Sequence, residues 1–401
     1  MRNFISAMMV AACGLSAVPA AAQSEPEFSA DVSVTGGVSS NPFLLANPKT
    51  AASVTLGISP TLLVPDERGE TRLSGDLRLS QYLQRYGTDV SAALDAATIR
   101  NLDPRTKLRL SAAARTSRST TRDGLIFLGA PGDGTIPLFP PGLPVIDTTL
   151  AGTRSRVTTI ETGVSISHLL DERSAVGAGV ELAGTYIDGN SGFDYRSASA
   201  YVDYQRQVAV RTSVTVGAQL GAVDYLGRRT GDSKIVSPRI GVQHQLSDQV
   251  SISADAGISY VRTNIGGGYS NRVTFAGSAG LCDRSPNRSF CLSAGRSAQP
   301  TALGGVSTVT TASINYDARL SRVDRLSFGA RYGRTNEDGV GLPLVRVTDF
   351  VGASATYSRD LGDRVALTVT PSYSKIFDDV LPRRANYALM GGLTFKLGKR
   401  R

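Results

Sequence analysis

Beyond its N-terminal segment, no part of this chain approaches the roughly 20 continuous apolar residues that a membrane-spanning helix needs. Instead, apolar and small polar residues alternate position by position, in segments of about ten residues separated by turn signals. Val32, Val34, Val54, Leu56 and Ile58 fall on one face, against Ser33, Thr35, Thr55, Gly57 and Ser59 on the other. Leu73, Leu77 and Leu79 alternate with Arg72, Asp76 and Arg78, and Val365, Leu367 and Val369 with Ala366, Thr368 and Thr370. A period of two predicts strands with one apolar and one polar face. Large aliphatic residues come singly, Gly is abundant at 42 residues and Trp is absent, which makes a poor soluble core for this length. Strands that face lipid must pair every backbone group within a closed sheet. The expected fold class is therefore all-β, a transmembrane antiparallel up-and-down β-barrel.

The connections alternate between two kinds. One kind is short and self-similar: Leu102-Asp103-Pro104-Arg105, Leu170-Asp171-Glu172-Arg173, Leu246-Ser247-Asp248-Gln249, Arg322-Val323-Asp324-Arg325 and Leu361-Gly362-Asp363-Arg364. These read as periplasmic turns. The more variable segments at 40–50, 188–192, 227–233, 266–270, 339–343 and 378–384 read as extracellular loops. Counting hairpins predicts about 18 strands, with 16 as the alternative count; the alternation is weakest between Thr274 and Ala312. Tyr186, Tyr260, Tyr332 and Tyr373 fall at outer strand ends, and Tyr204, Tyr316 and Tyr357 at inner ones, the two-level placement of interfacial girdles. Tyr387 to Leu397 alternates like a C-terminal barrel-assembly signal, although Gly398-Lys399-Arg400-Arg401 follows where an aromatic residue would usually end it.

Met1-Arg2-Asn3, the apolar run Phe4 to Val18 and Ala20-Ala21-Ala22 have the layout of an export signal, so residues 1–22 are expected to be removed and 23–401 to form the barrel. A lipoprotein signal ending at Cys13 is the alternative. The formal charge of +9 falls to +8 when Arg2 leaves, which suits contact with anionic material such as lipopolysaccharide or an acidic polymer. Export argues against nucleic acid. Cys282 and Cys291 share one parity across a short connection in an oxidising compartment, a disulfide candidate. His168 and His244 fall on outward parity near periplasmic strand ends, with no nucleophile or acid positioned beside them. Asp188 to Asp194 has calcium-binding residue types without calcium-loop spacing, and reads as a turn. No catalytic residue, cofactor or metal is expected.

Inward parity collects Arg72, Asp76, Arg78, Asp95, Lys107, Arg109, Arg115, Glu161, Glu181, Asp203, Arg239, Asp255 and Arg331 as pore-lining candidates. A barrel of this strand number has room for water inside, and lumen charges then select what passes. Lys107, Arg109 and Arg115 form a ladder suited to anions; neutralisation of these charges by opposite ones in a solvated wall is the alternative. The longest irregular segment, 119–153, is the third extracellular loop. Its apolar residues, Phe127, Leu138 and Phe139 among them, suggest a constriction folded into or over the mouth, and the alternatives are a mobile external loop or a partner-binding patch.

Near the first strand, Val38-Ser39-Ser40-Asn41-Pro42-Phe43-Leu44 resembles the β-barrel porin 2 family, whose members open with an Asn-Pro-aromatic stretch after a short strand. The resemblance implies an outer-membrane barrel associated with exopolysaccharide biosynthesis and export, working with a periplasmic export protein and a polysaccharide cargo. It implies no catalytic residues. Three roles follow: an exopolysaccharide conduit first, a general or solute-specific porin as the alternative, and a structural or adhesive surface barrel third. The oligomeric state is not legible.

Overall fold

The computed structural model describes residues 25–118, 155–188, 194–227, 231–301, 304–337, 346–378 and 383–398. The first strands are β1 (Glu27–Ser39), β2 (Ala51–Asp66), β3 (Gly69–Tyr82), β4 (Thr88–Asp103), β5 (Thr106–Ser117) and β6 (Val157–Asp171). They are followed by β7 (Ser174–Ile187), β8 (Tyr195–Ala209), β9 (Thr212–Tyr225), β10 (Ser233–Gln245), β11 (Val250–Asn264) and β12 (Tyr269–Ser285). The last six are β13 (Arg288–Pro300), β14 (Val306–Arg319), β15 (Asp324–Glu337), β16 (Arg346–Asp360), β17 (Val365–Asp378) and β18 (Asn386–Gly398). Each pairs antiparallel with its chain neighbours, and β1 pairs with both β2 and β18, so an 18-stranded sheet closes on itself. The alternative count of 16 is excluded. The weakly patterned stretch from Thr274 to Ala312 supplies β12, β13 and β14.

Register places the two faces. Following cross-strand partners around the barrel, every polar position that alternates with large aliphatics falls on the inside. Leu77, Val180, Ile240 and Val164 point outward and are about half exposed (49, 50, 56 and 51 %). In water such a surface would be one large apolar patch; in a bilayer it is the lipid-facing band. The turns at one end hold two residues (as between Asp66 and Gly69) or four (as between Gln245 and Val250). Asp103 and Asp171 open two of the short turns by accepting the Arg105 and Arg173 N–H through Oδ1, both at 2.7 Å. The four-residue turns share one closing bond, from Leu246, Leu320 and Leu361 N–H to the carbonyls of Val250, Asp324 and Val365. The opposite end carries the longer loops. In bacterial barrels short turns are periplasmic, which sets the orientation.

Pro60, Pro238 and Pro371 lie well inside strands, and each interrupts one ladder because it has no N–H to give. Pairing skips two rungs at each of them. On the lumen face the gap is bridged by side chains instead: Ser59 donates to Asp76 (2.8 Å), Ser237 pairs with Ser259 (2.7 Å) and Thr356 with Thr370 (3.0 Å). Cys282 and Cys291 stand directly opposite one another on β12 and β13 and are joined as a disulfide, with Cα atoms 4.2 Å apart. The bridge lies in the periplasmic half of the wall, facing inward.

One stretch of wall departs from regularity. β12 pairs with β13 only from Gly277/Arg296 inward to Ser285/Arg288, so Tyr269 to Ala276 have no ladder partner on that side. The outer part of the β13–β14 hairpin has left the wall and turned into the barrel. Arg272 donates to the Val306 carbonyl at 2.8 Å and Thr274 lies 3.4 Å from Thr308, so side chains join the seam where backbone bonds stop.

Candidate functional site

The lumen encloses a cavity of about 1720 Å³, lined mainly by Ser, Thr, Ala and Gly with charged side chains standing among them. The small residues are the inward half of the alternating pattern. Around the middle of the barrel the charges separate into arcs. On β3 to β5, Arg78 is held by Asp76 (2.8 Å) and Arg115 by Asp95 (2.7 Å), whereas Arg72 and Arg109 have no carboxylate within salt-bridge distance among the described residues. On β6 to β8, Glu161, Glu181 and Asp203 have no cation within that distance among the described residues. Their register neighbours are small: Glu161 faces Ala113 and Ala183, Glu181 faces Gly163 and Ser199, and Asp203 faces Gly177 and Gly217. Glu161 and Glu181, flanked by alanine, glycine and serine, line the cavity, while Asp203 is half-buried beside them. Asp203 lies over Gly177 so closely that a Cβ there would meet its Oδ1 at 2.7 Å, which accounts for glycine at that position. A third arc holds Arg239 and Asp255 nearly buried in the wall, 3.5 Å apart, with Ser278 also donating to Asp255.

All thirteen charged pore-lining candidates have inward parity; Asp203 and Asp255 do not reach the cavity, and ten others line it: Arg72, Asp76, Arg78, Asp95, Arg109, Arg115, Glu161, Glu181, Arg239 and Arg331. Lys107 does not. It is the second residue of β5, exposed at the periplasmic rim below the cavity. The expected anion ladder is thereby reduced, because Lys107 lies outside the cavity and Arg115 is neutralised by Asp95; Arg109 is its one member with an open charge in the cavity. Phe127, Leu138 and Phe139, with the 119–153 loop, lie outside the described residues, as do the signal segment 1–22 and most of the Asp188–Asp194 turn. His168 and His244 point outward at the periplasmic end, where their Nδ1 atoms pair with the Thr106 and Thr212 hydroxyls, both at 2.9 Å. Among the described residues no group of three or more His, Cys, Asp or Glu is placed to hold a metal ion.

The outer mouth has a different chemistry. Tyr82, Val157, Ile187, Val223, Tyr225, Val261, Val309, Phe350 and Ile376 have inward parity and are buried at the outer strand ends, forming an apolar collar. Two connections seat on it. The β1–β2 loop inserts Leu44 against Phe350 and Ile376, and Phe43 against Tyr82 and Tyr86. Asn41 holds this loop: its side chain donates to the Leu45 and Arg384 carbonyls (3.0 Å each) and accepts the Leu45 N–H (2.9 Å), while its backbone N–H donates to Asn386 Oδ1 (2.8 Å). Leu44 takes a left-handed φ of 53° to enter its pocket, a conformation costing a residue with a Cβ about 1 to 2 kcal/mol. Burial of its side chain offsets that. The turned-in β13–β14 tip seats on the other side, where the Tyr225 hydroxyl lies 2.8 and 2.6 Å from the Thr301 and Gly305 carbonyls and accepts the Thr301 N–H at 3.2 Å.

A closed sheet, an outward apolar band, tyrosines at both its edges and a water-filled polar interior fit only one setting. The protein is an outer-membrane β-barrel. No protein-family model matches the sequence, and no curated protein does. Among solved structures, it is similar to OccK2 (OpdF) of Pseudomonas aeruginosa, determined in complex with glucuronate, at 11% identity and TM-score 0.48, covering 94% of this chain and 99% of that one. OccAB2 of Acinetobacter baumannii is similar at 10% identity and TM-score 0.47, covering 94% and 98%. The FrpB iron transporter of Neisseria meningitidis (F5-1 variant) is similar at 9% and 0.42, covering 94% and 83%. The likeness lies in barrel architecture.

The collar and its two clasps escaped sequence reasoning, yet they leave a signal. Tyr82, Tyr225, Phe350 and Ile376 are large residues on the polar parity at outer strand ends, whereas mid-strand that parity carries few large side chains, Tyr201 and Met390 among them. Pro300 followed by Gly304-Gly305 marks the hairpin that leaves the wall.

Proposed function

We propose that this barrel is a porin for small hydrophilic solutes, its selectivity set by the charge-separated wall between β3 and β8. The observation that carries the reading is the joint geometry of the lumen: cavity-lining carboxylates at Glu161 and Glu181 stand beside open guanidinium groups at Arg72 and Arg109. Such a wall imposes a transverse field on water and solute in the pore. The mouth supports a small cargo, because two connections fold inward onto the apolar collar and narrow the way in. The cavity of about 1720 Å³ suits single small molecules better than a hydrated polymer in transit. The exopolysaccharide reading rests on the Asn41-Pro42-Phe43 resemblance, and in the fold those residues are engaged in holding the β1–β2 loop in the mouth.

Two measurements test the proposal. Proteoliposomes carrying the native protein are expected to swell in small sugars and amino acids and to exclude polymers. In planar bilayers, Glu161→Gln with Glu181→Gln is expected to shift reversal potentials toward anion preference, and Arg72→Gln with Arg109→Gln toward cation preference. A deletion strain that loses polymer secretion while its small-solute uptake is unchanged would return the exopolysaccharide conduit to first place. Absence of any conductance or swelling favours the structural barrel.

A further inference from the structure

The outward face of β10 to β12 carries an arrangement unlike the rest of the band. Read across the three strands in register, the rung Val236, Tyr260, Val273 is apolar and lies at the level of the outer tyrosine girdle. The next outward-facing rung toward the exterior is Lys234, Arg262, Asn271. Lys234 and Arg262 are thus direct cross-strand neighbours of like charge, a destabilising juxtaposition unless an anion lies over both. Neither has a carboxylate within salt-bridge distance among the described residues. Other basic side chains on the outer rim are arranged differently: Arg196 faces Asp224 in register, Arg334 lies 3.8 Å from Asp349, and Lys375 lies over the Phe377 ring.

The surroundings of the pair are shaped for the rest of an amphiphile. The Arg262 guanidinium lies 4.0 Å over the Tyr269 ring, and the Tyr260 hydroxyl donates to Asn271 at 2.9 Å, which orders the polar rung. Beneath it, Val273, Phe275 and Ile258 point into the lipid region and are 63, 58 and 51 % exposed. On the far side of β12 the wall is interrupted, since β13 leaves the ladder beyond Gly277/Arg296. The outward side chains of β12 therefore border a notch in the wall.

We infer that Lys234 and Arg262 bind the phosphate of a phosphorylated glycolipid of the outer leaflet, with its acyl chains lying along Ile258, Val273 and Phe275. The two cations supply charge and hydrogen-bond donors at headgroup depth, and the apolar rungs supply the track for the chains. The site is on the outside of the barrel and is independent of the lumen reading.

The test uses the full-length protein, extracted in mild detergent, delipidated and titrated with lipid A, the binding being read by native mass spectrometry. Lys234→Gln with Arg262→Gln is expected to weaken binding roughly thirty-fold, the loss of two basic contacts to a headgroup, while Lys375→Gln stays within about two-fold. Native protein with a phosphate-free glycolipid of the same acyl composition is expected to bind as weakly as the double variant. Heat-modifiable gel migration confirms that each variant is a folded barrel. Retention of native affinity by the double variant, or equal binding of the phosphate-free lipid, overturns the inference. Inorganic phosphate that binds as tightly as lipid A also overturns it, because the apolar track would then contribute nothing.

Discussion

Removing the Tyr225 hydroxyl tests whether the β13–β14 tip is held in the mouth by that side chain. The ring is 1 % exposed and its hydroxyl makes three contacts with the tip, to the Thr301 carbonyl, the Gly305 carbonyl and the Thr301 N–H. Tyr225→Phe leaves none of these backbone groups without a partner, since the Thr301 N–H still donates to the Gly305 carbonyl (3.2 Å) and the Gly304 N–H to the Thr301 carbonyl (3.1 Å). The cost is therefore the net value of the lost bonds, about 1 to 1.5 kcal/mol, and not the larger penalty of orphaned groups. That corresponds to roughly a five- to twelve-fold rise in the population of the released hairpin. Tyr225→Ala also removes ring packing against Val223, Val261, Val306 and Tyr195, a loss of about 3 to 5 kcal/mol by analogy with other large aromatic truncations. Single-channel recording in planar bilayers reads both. Tyr225→Phe is expected to raise the frequency of high-conductance events in that proportion, and Tyr225→Ala to make the high-conductance level dominant. Identical traces from native protein and Tyr225→Ala, with the barrel folded, would refute the clasp.

Further outcomes follow from the same geometry. Asn41→Ala leaves the Leu45 N–H and the Arg384 carbonyl without their Asn41 partner in a buried site, costs roughly 2 to 3 kcal/mol and is expected to release the β1–β2 loop, read as increased conductance and protease cleavage between Asn41 and Thr50. Cys282→Ser with Cys291→Ser opens a small closed loop, worth about 2 to 3 kcal/mol in the chain-entropy account, and is expected to lower the temperature of the heat-modifiable gel shift without altering conductance. Val180→Arg places a charge mid-strand on the lipid face and is expected to cost about 2 to 4 kcal/mol in folding into bilayers by denaturant titration; a neutral result would place that face away from lipid. Substituting both His168 and His244 is expected to leave conductance and selectivity unchanged, because both point outward at the periplasmic rim.

The alternating pattern by itself pointed to the class of fold, to the inward or outward direction of the residues it patterned and to five of the short periplasmic turns, and it made Cys282 and Cys291 a disulfide candidate. These are local properties. Side chains in a strand alternate with a period of two, and a barrel in lipid demands that one parity be apolar along every strand. Arg72, Glu161, Glu181 and Arg239 could therefore be assigned to the lumen without coordinates. What local parity cannot carry is which inward residues meet across strands and at what height. That depends on register and closure, so that only the folded barrel showed Asp95 neutralising Arg115, Lys107 falling below the cavity, and Glu161 and Glu181 standing open among alanines and glycines. The mouth depended on tertiary structure for a further reason. Asn41 and Tyr225 hold connections whose partners lie in distant parts of the chain, at Arg384 and Asn386 for the first and at Thr301 and Gly305 for the second. The inward turn of the β13–β14 tip breaks the very regularity by which the strands were recognised.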